Sequence, residues 1–132
     1  MNRLGIQHLP NGNKATIRSA FGNIAAATTD GTLTLGEGGT LAAVTGKCYV
    51  VLGVFAHLQG GTATDVTLNS KGSGAGTAIS SLKQVVPNGG WVQSRGCETD
   101  YLYKTKVGEA LTVTTGAGST VGIDIVFTLA DS

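Results

Sequence analysis

The chain has 132 residues, a formal net charge of +1 and only 13% charged residues. This length suits one domain, and the near-zero net charge gives no reason to expect binding to nucleic acid or to an anionic membrane. Glycine is frequent at 21 residues and proline scarce at 2, which is typical of many short strands joined by tight turns. So low a charge content indicates that partner proteins cover part of the surface.

The N-terminal segment, MNRLGIQHLPNGNK, has no periodic pattern. We expect an irregular arm over residues 1–14, in front of a single domain over residues 15–132, and the arm's apolar residues favour ordering against a neighbour. The segment has no apolar core of the signal-peptide kind, and no stretch approaches the roughly 18 apolar residues of a membrane span. We therefore expect synthesis in a cytoplasm.

The longest apolar run, KCYVVLGVFAHLQ at residues 47–59, is apolar on both faces of a predicted strand. Such a strand is either central in a sandwich or covered on one side by another subunit. One parity holds Val50, Leu52, Val54, Ala56 and Leu58, and the other holds Tyr49, Val51, Phe55 and His57.

Residues 108–129 predict a strand, a turn of small residues at 116–120, and a second strand, together a hairpin. In the second strand Val121, Ile123, Ile125, Phe127 and Leu129 share one parity, which predicts a core-facing side. Across the chain, turn signals recur about every 8–12 residues. The sequence therefore predicts an all-β fold, a two-sheet sandwich of Greek-key or jelly-roll type with an irregular N-terminal arm.

The residues that carry metal or thiol chemistry are few. His8 and His57 are the only histidines, and Cys48 and Cys97 the only cysteines. Their spacing fits no metal site, so we expect no metal and no cofactor. Cys97 and His57 are of the types that form a thiol nucleophile and its base, but the sequence favours a buried structural role for the cysteine. We expect the two thiols to stay reduced, half-buried and unlinked.

Other enzyme signatures are equally weak. Glu98 and Asp100 share a strand face, as paired acids do in glycoside cleavage, but exposed acids are usually only solvated. The glycine-rich run at residues 72–76 lacks the lysine of a phosphate-binding loop and predicts a mobile loop. We therefore predict no catalytic residues and no enzyme activity.

Four motifs together resemble a known family: GTAIS at 76–80, NGGWV at 88–92, GEALTVTT at 108–115 and GSTVGIDIVF at 118–127. The pattern resembles the small head decoration, or cement, proteins of tailed bacteriophages. In that family a strand–turn–NGG segment precedes a GEAL strand and a final glycine-rich hairpin.

This resemblance implies a non-enzymatic, virion structural protein with a β-sandwich fold. It would sit as a homotrimer on the outer surface of the capsid after synthesis in the host cytoplasm, and stabilise contacts between major capsid proteins against the pressure of packaged DNA. Its partners would be the major capsid protein and copies of itself, with no direct contact to nucleic acid or membrane. The residues expected at partner contacts are Leu4, Ile6, Leu9, Tyr49, Val51, Phe55 and Trp91.

Two other function classes stay open. A phage tail or fibre component would bind a host receptor or glycan through exposed Trp91, Tyr101 and Tyr103. A small hydrolase would use Glu98 and Asp100, although no orienting partner is evident.

Overall fold

The computed structural model describes residues 6–8, 14–95 and 100–131. Within these ranges all regular secondary structure is β-strand, which confirms the all-β prediction. The strands are β1 (Ile6–His8), β2 (Lys14–Thr16), β3 (Arg18–Ile24), β4 (Gly31–Thr32), β5 (Thr34–Leu35), β6 (Cys48–Leu58), β7 (Thr64–Lys71), β8 (Thr77–Ala78), β9 (Lys83–Val85), β10 (Trp91–Ser94), β11 (Tyr103–Lys104), β12 (Ala110–Thr115) and β13 (Val121–Ala130).

The strands form two antiparallel sheets that face each other. One sheet has six strands in the order β10-β6-β13-β3-β5, with β11 also paired to β6. The other has five strands in the order β4-β12-β7-β8, with β9 also paired to β7. Apolar side chains from both sheets meet in one core cluster, so the sandwich prediction is confirmed.

The strand order is that of a jelly roll. After the N-terminal strands β1 and β2, the chain has eight main segments: β3, β4–β5, β6, β7, β8–β9, β10–β11, β12 and β13. The first, third, sixth and eighth lie in the larger sheet, the fourth, fifth and seventh lie in the smaller one, and the second passes from the smaller sheet (β4) to the larger one (β5). The larger sheet thus has the segment order sixth–third–eighth–first and the smaller one second–seventh–fourth–fifth, which is the strand order of a jelly roll.

One side of the sandwich is closed by a segment that changes sheet. β4 pairs with β12 in the smaller sheet, and β5 pairs with β3 in the larger one. Leu33 lies between them and is fully buried. The side chain at the crossing thus fills the corner between the two sheets.

The predicted hairpin over residues 108–129 is wrong. β12 pairs with β7 and β4, whereas β13 pairs with β3 and β6 in the opposite sheet. The connecting residues are held by a third segment, since the Gly116 N–H donates to the Asp65 carbonyl and the Ser119 N–H to the Thr62 carbonyl. At Gly118, with φ of 139°, a Cβ would lie 2.3 Å from the Ala63 carbonyl oxygen. The glycine therefore permits a sheet crossing there.

The core-facing parity of the last strand is confirmed. Val121, Ile123, Ile125 and Phe127 are all buried. The parity predicted for β6, in contrast, is correct only in part. The pairing of β6 with β13 shifts register between Val126 and Phe127, which leaves Leu52 as an extra residue in β6. A bulge of this kind moves the following side chains to the opposite face.

Because of this bulge, packing within the chain itself explains why both faces of β6 are apolar. Tyr49 and Val51 face the main core before it, and Val54 and Ala56 face the core after it. The other face begins with a second cluster formed within the same chain by Cys48, Val50, Leu52 and Ala130.

The N-terminal arm is not irregular throughout. Ile6–His8 pairs antiparallel with Lys14–Thr16, so a short two-stranded ribbon spans the expected boundary at residue 14. Leu4 and Leu9 lie outside the described residues. The division into an arm and one domain stays a prediction.

Ile125 provides the test of the core. It is fully buried on the central strand of the larger sheet. We expect Ile125→Asp to prevent folding, because burying an unpaired carboxylate costs several kcal/mol, comparable to the whole stability of a small domain. Circular dichroism and thermal melting measure this. As a control, Val92→Asp, at a position 69% exposed, should fold, and a folded Ile125→Asp protein would contradict the assigned core face.

Candidate functional site

Three residues expected at partner contacts are inside the domain. Tyr49, Val51 and Trp91 are all buried, so in this fold they cannot contact a partner and that prediction is wrong. The Tyr49 hydroxyl donates to the Ala42 carbonyl at 2.6 Å, and its ring packs edge-on against Phe127. Their apolar character serves the protein's own core.

The aromatic platform expected for glycan binding is also largely absent. The Trp91 Nε1–H donates to the Gln93 side-chain oxygen at 2.6 Å, and the Tyr103 hydroxyl donates to the same oxygen at 2.9 Å. These bonds hold the rings of Trp91 and Tyr103 edge to face at the edge of the six-stranded sheet. Tyr101 is exposed, with the Lys104 Nζ 5.6 Å from its ring centroid. Only one of the three rings is therefore available as a surface platform.

Among the predicted contact residues whose burial the structure describes, Phe55 is the one at the surface, 39% exposed, whereas the burial of Leu4, Ile6 and Leu9 lies outside that description. It lies beyond the bulge of β6, on the outer face of the six-stranded sheet. Cross-strand pairing places Val92 and Asp124 directly opposite it on the two neighbouring strands, and places Phe21 opposite Asp124 on the next strand. Directly opposite residues share a face of the sheet. We name Val92, Phe55, Asp124 and Phe21 the exposed row.

The exposed row is mostly apolar and open to solvent. Val92 is 69% exposed and Phe21 46%. With neighbouring strands about 4.8 Å apart, the row extends for roughly 15 Å across the sheet. An exposed, mostly apolar strip on a sheet face is characteristic of an interaction surface.

Two glycines flatten the face around the row. A Cβ at Gly53 would lie 3.3 Å from the ring of Phe55, so that ring leans across the glycine. A Cβ at Gly122 would lie 2.6 Å from the ring of His57 and 3.0 Å from the Gln59 amide. These rings can therefore lie close to the sheet, and the face is smoother than branched residues would leave it.

The outer face of the smaller sheet is different, because it is tied by a polar network around Asp30. The Asp30 side chain is 9% exposed. Its carboxylate accepts hydrogen bonds from the Gly76 N–H at 2.9 Å, the Thr112 hydroxyl at 2.9 Å and the Asn69 amide at 3.2 Å. The Lys71 Nζ lies 3.9 Å from the carboxylate. The network joins strands β7 and β12 to the loop after β7.

This network explains the glycine-rich loop at residues 72–76. Besides the Gly76–Asp30 bond, the Lys71 Nζ donates to the Gly74 carbonyl at 2.6 Å. An adjoining open cavity of about 250 Å³ is lined by Asp30, Lys71, Leu41 and Ala110, among others. The polar groups of the network bond mainly to one another, so its role is to hold the loop.

Of the four residues considered for catalysis, the structure describes His57 and Asp100. His57 is exposed on the outer sheet face, and Asp100 is exposed near β11. Cys48 is fully buried rather than half-buried, and burial raises the pKa of its thiol. Cys97 and Glu98 lie outside the described residues.

In the ranges that the structure describes, no group of three His, Cys, Asp or Glu side chains is placed to hold a metal ion. Those ranges also contain no helix long and apolar enough to cross a membrane.

No protein-family model and no curated protein matches the chain. Among solved structures, it is similar to the CBM22-1 xylan-binding domain of Paenibacillus barcinonensis Xyn10C, with a TM-score of 0.45 and 11% identity over 98% of this chain and 83% of that one. It is also similar to the virus-like particle of extra small virus from the giant freshwater prawn Macrobrachium rosenbergii. There the TM-score is 0.37, with 14% identity over 100% of this chain and 83% of that one. Similarity of this degree leaves function to be argued from the site.

Sequence reasoning missed most of the exposed row. Phe21, Val92 and Asp124 lie on three different strands, and only the pairing register places them beside Phe55. The available signal was the outward parity of Asp124 beside Ile125. The partners across the sheet depend on long-range register, which local periodicity does not give.

Asp30 provides a pH test of the smaller sheet. Burial raises the pKa of its carboxyl group, but the hydrogen bonds from Gly76, Thr112 and Asn69 and the charge of Lys71 together outweigh burial and hold the pKa below its usual range. A lowered folded-state pKa stabilises the protein above the unfolded-state pKa, and this stability is lost as pH falls through the folded-state value. Asp30→Asn should therefore cost about 1–3 kcal/mol at pH 7.

The difference in stability between the native protein and Asp30→Asn should shrink as pH falls below about 4. Urea unfolding at pH 7, 5, 4 and 3 measures this. Asp65→Asn is the control, because the Asp65 side chain makes no hydrogen bond or ion pair with the described residues. A difference for Asp30→Asn that stays constant down to pH 3 would show that its charge does not stabilise the fold.

Proposed function

We propose that this chain is a structural decoration, or cement, protein of a tailed-bacteriophage head. In this proposal it binds the outer surface of the capsid as a homotrimer and stabilises contacts between major capsid proteins against the pressure of packaged DNA. It has no enzymatic role, needs no cofactor, and contacts neither nucleic acid nor membrane directly. The host cytoplasm is its site of synthesis.

The observation that carries the proposal is the exposed row on the outer face of the six-stranded sheet. Phe21, Phe55 and Val92 are 46%, 39% and 69% exposed to solvent. Full burial of a large apolar side chain contributes about 1.5–3 kcal/mol, so covering what remains exposed of these three contributes roughly 3 kcal/mol gross. Such a face binds weakly when single, and three linked copies bind strongly through avidity. This arithmetic favours an oligomer on a repeating surface.

The low charge content supports the same function. Only 13% of the residues are charged, whereas a typical domain has about 25%. Within the exposed row Asp124 is the one charged member, and its neighbours are apolar. A protein that works while bound to a shell keeps less of its surface in water than a free monomer does.

A glycan-binding tail or fibre component is the second candidate. The observation that favours it is the ring of Phe55 leaning across Gly53, since rings that lie along a surface stack on sugars. The Asn23 and Gln59 amides beside the row are bonded to each other, which leaves fewer free groups for sugar hydroxyls. The capsid role is therefore the better supported of the two.

The oligomeric state is directly measurable. We expect sedimentation velocity and native mass spectrometry to show an assembly of three copies of this chain, either for the purified protein or for protein released from heads. A stable monomer that also occupies single, unlinked positions on the head would contradict the homotrimer.

Head binding tests the proposed function. We expect the purified protein to co-sediment with heads of the phage that encodes it, and to raise the temperature at which they release DNA. Phe21→Ser with Phe55→Ser should reduce binding at least tenfold, because the apolar burial is lost three times per trimer. The control is Val44→Ser with Val107→Ser, since these residues are 39% and 48% exposed outside the row. Absence of head binding by the native protein, with binding to glycans instead, would establish the second candidate.

A further inference from the structure

Asp124 has an unusual position within the exposed row. It lies directly opposite Phe55 on one side and Phe21 on the other. The Cβ atoms of directly opposite residues are about 5 Å apart, so Asp124 has a phenylalanine side chain directly opposite it on each side. Asp124 is exposed and makes no ion pair or hydrogen bond with the described residues. In the free protein, water solvates this carboxylate.

We propose that the exposed row recognises a basic side chain, arginine in preference to lysine, presented by the protein on which this chain docks. The guanidinium binds the Asp124 carboxylate and lies against the rings of Phe21 and Phe55. This inference rests on the proposed function only in naming the docking partner, the capsid shell; the chemistry of the site stands on its own geometry.

The first argument is the charge at the centre of the row. A partner that covers Phe21 and Phe55 also removes water from Asp124, because the carboxylate lies between them. A buried carboxylate without a partner is strongly unfavourable. A docking partner must therefore supply a compensating group at this point, and a cation is the group that compensates the charge fully.

The second argument is the pair of rings. A cation within about 6 Å of an aromatic face is attracted by the ring, and arginine is the commoner partner because its planar group also stacks. Its two parallel N–H groups match a carboxylate, so one guanidinium can satisfy Asp124 and contact a ring at the same time. Lysine offers a point charge and lacks the stacking plane.

The third argument is that this chain places its own cations on other rings. Within the described residues, cation–aromatic contacts join Arg18 to Phe127 at 5.8 Å, Lys83 to Trp91 at 5.4 Å and Lys104 to Tyr101 at 5.6 Å. None of these contacts uses a ring of the exposed row. The row is therefore available to a cation from another molecule.

The test is a titration of the ¹⁵N-labelled full chain with three probes. These are the peptide N-acetyl-Gly-Arg-Gly-amide, the same peptide with uncharged citrulline in place of arginine, and the neutral sugar xylohexaose. We expect the arginine peptide to bind with a millimolar dissociation constant and to shift the amide signals of Phe21, Phe55 and Asp124. The citrulline peptide should bind at least fivefold more weakly, because it retains the shape and loses the charge.

Variants separate the contributions of the carboxylate and the rings. Asp124→Asn should weaken arginine-peptide binding at least fivefold, and Phe55→Leu should weaken it about threefold while keeping an apolar side chain. Asp65→Asn, on the opposite sheet, is the matched control and should leave binding unchanged. Equal shifts with arginine and citrulline peptides, an unaffected Asp124→Asn variant, or shifts of the row by xylohexaose alone would each overturn the inference.

Binding to heads distinguishes failure of the inference from failure of the proposed function. If the native protein and Asp124→Asn bind heads equally well, the function stands and the cation site is wrong. If the arginine peptide binds at the row but heads do not bind the protein, the cation site stands and the capsid function is wrong. The expected result is head binding that Asp124→Asn reduces and Asp65→Asn does not.

Discussion

The position of β13 between β6 and β3 is the constraint on which the rest of the structure depends. Its backbone pairs along nearly its whole length with a strand on each side. Its alternate side chains, from Val121 to Phe127, are buried in the core, and each contributes about 1.5–3 kcal/mol of apolar burial. The same alternation turns Asp124 outward. The strand that fills the core therefore also fixes the centre of the exposed row.

The outer faces of the two sheets have different roles. On the smaller sheet, Asp30 joins two strands and a glycine-rich loop through hydrogen bonds that satisfy most of its acceptor capacity. On the larger sheet, Asp124 has a phenylalanine directly opposite it on each side and forms no hydrogen bond or ion pair with the described residues. A satisfied buried carboxylate stabilises a fold, whereas an exposed one among apolar side chains is free to bind another molecule.

The sequence predicts the parts of this structure that depend on local periodicity. The core-facing parity of Ile123, Ile125 and Phe127 and the two-sheet, all-β architecture follow from alternation and turn spacing. The hairpin expected at residues 108–129 is wrong because alternation specifies which face is buried, not which strand is the neighbour. The contact roles expected for Tyr49, Val51 and Trp91 are wrong for a related reason. The sequence does not distinguish an apolar residue that packs in the protein's own core from one that packs on a partner.

The bulge of β6 and the exposed row could not be predicted from sequence. Leu52 becomes an extra residue only because β13 pairs on both sides of it, and that one residue decides that Val54 faces the core and Phe55 faces outward. Phe21, Phe55 and Asp124 are distant in sequence and meet only through long-range register. Loops and registers that depend on distant partners carry little local signal, and the candidate site consists almost entirely of such pairings.

A cryo-EM map of heads carrying the bound protein tests the central claim most directly. The claim is that the outer face of the six-stranded sheet is the docking surface and that its exposed row meets a basic side chain. The account predicts density in which Phe21, Phe55 and Asp124 face the shell, with an arginine or lysine of the shell protein against the Asp124 carboxylate. A map in which this face points to solvent, and the outer face of the five-stranded sheet or another surface contacts the shell, would contradict it.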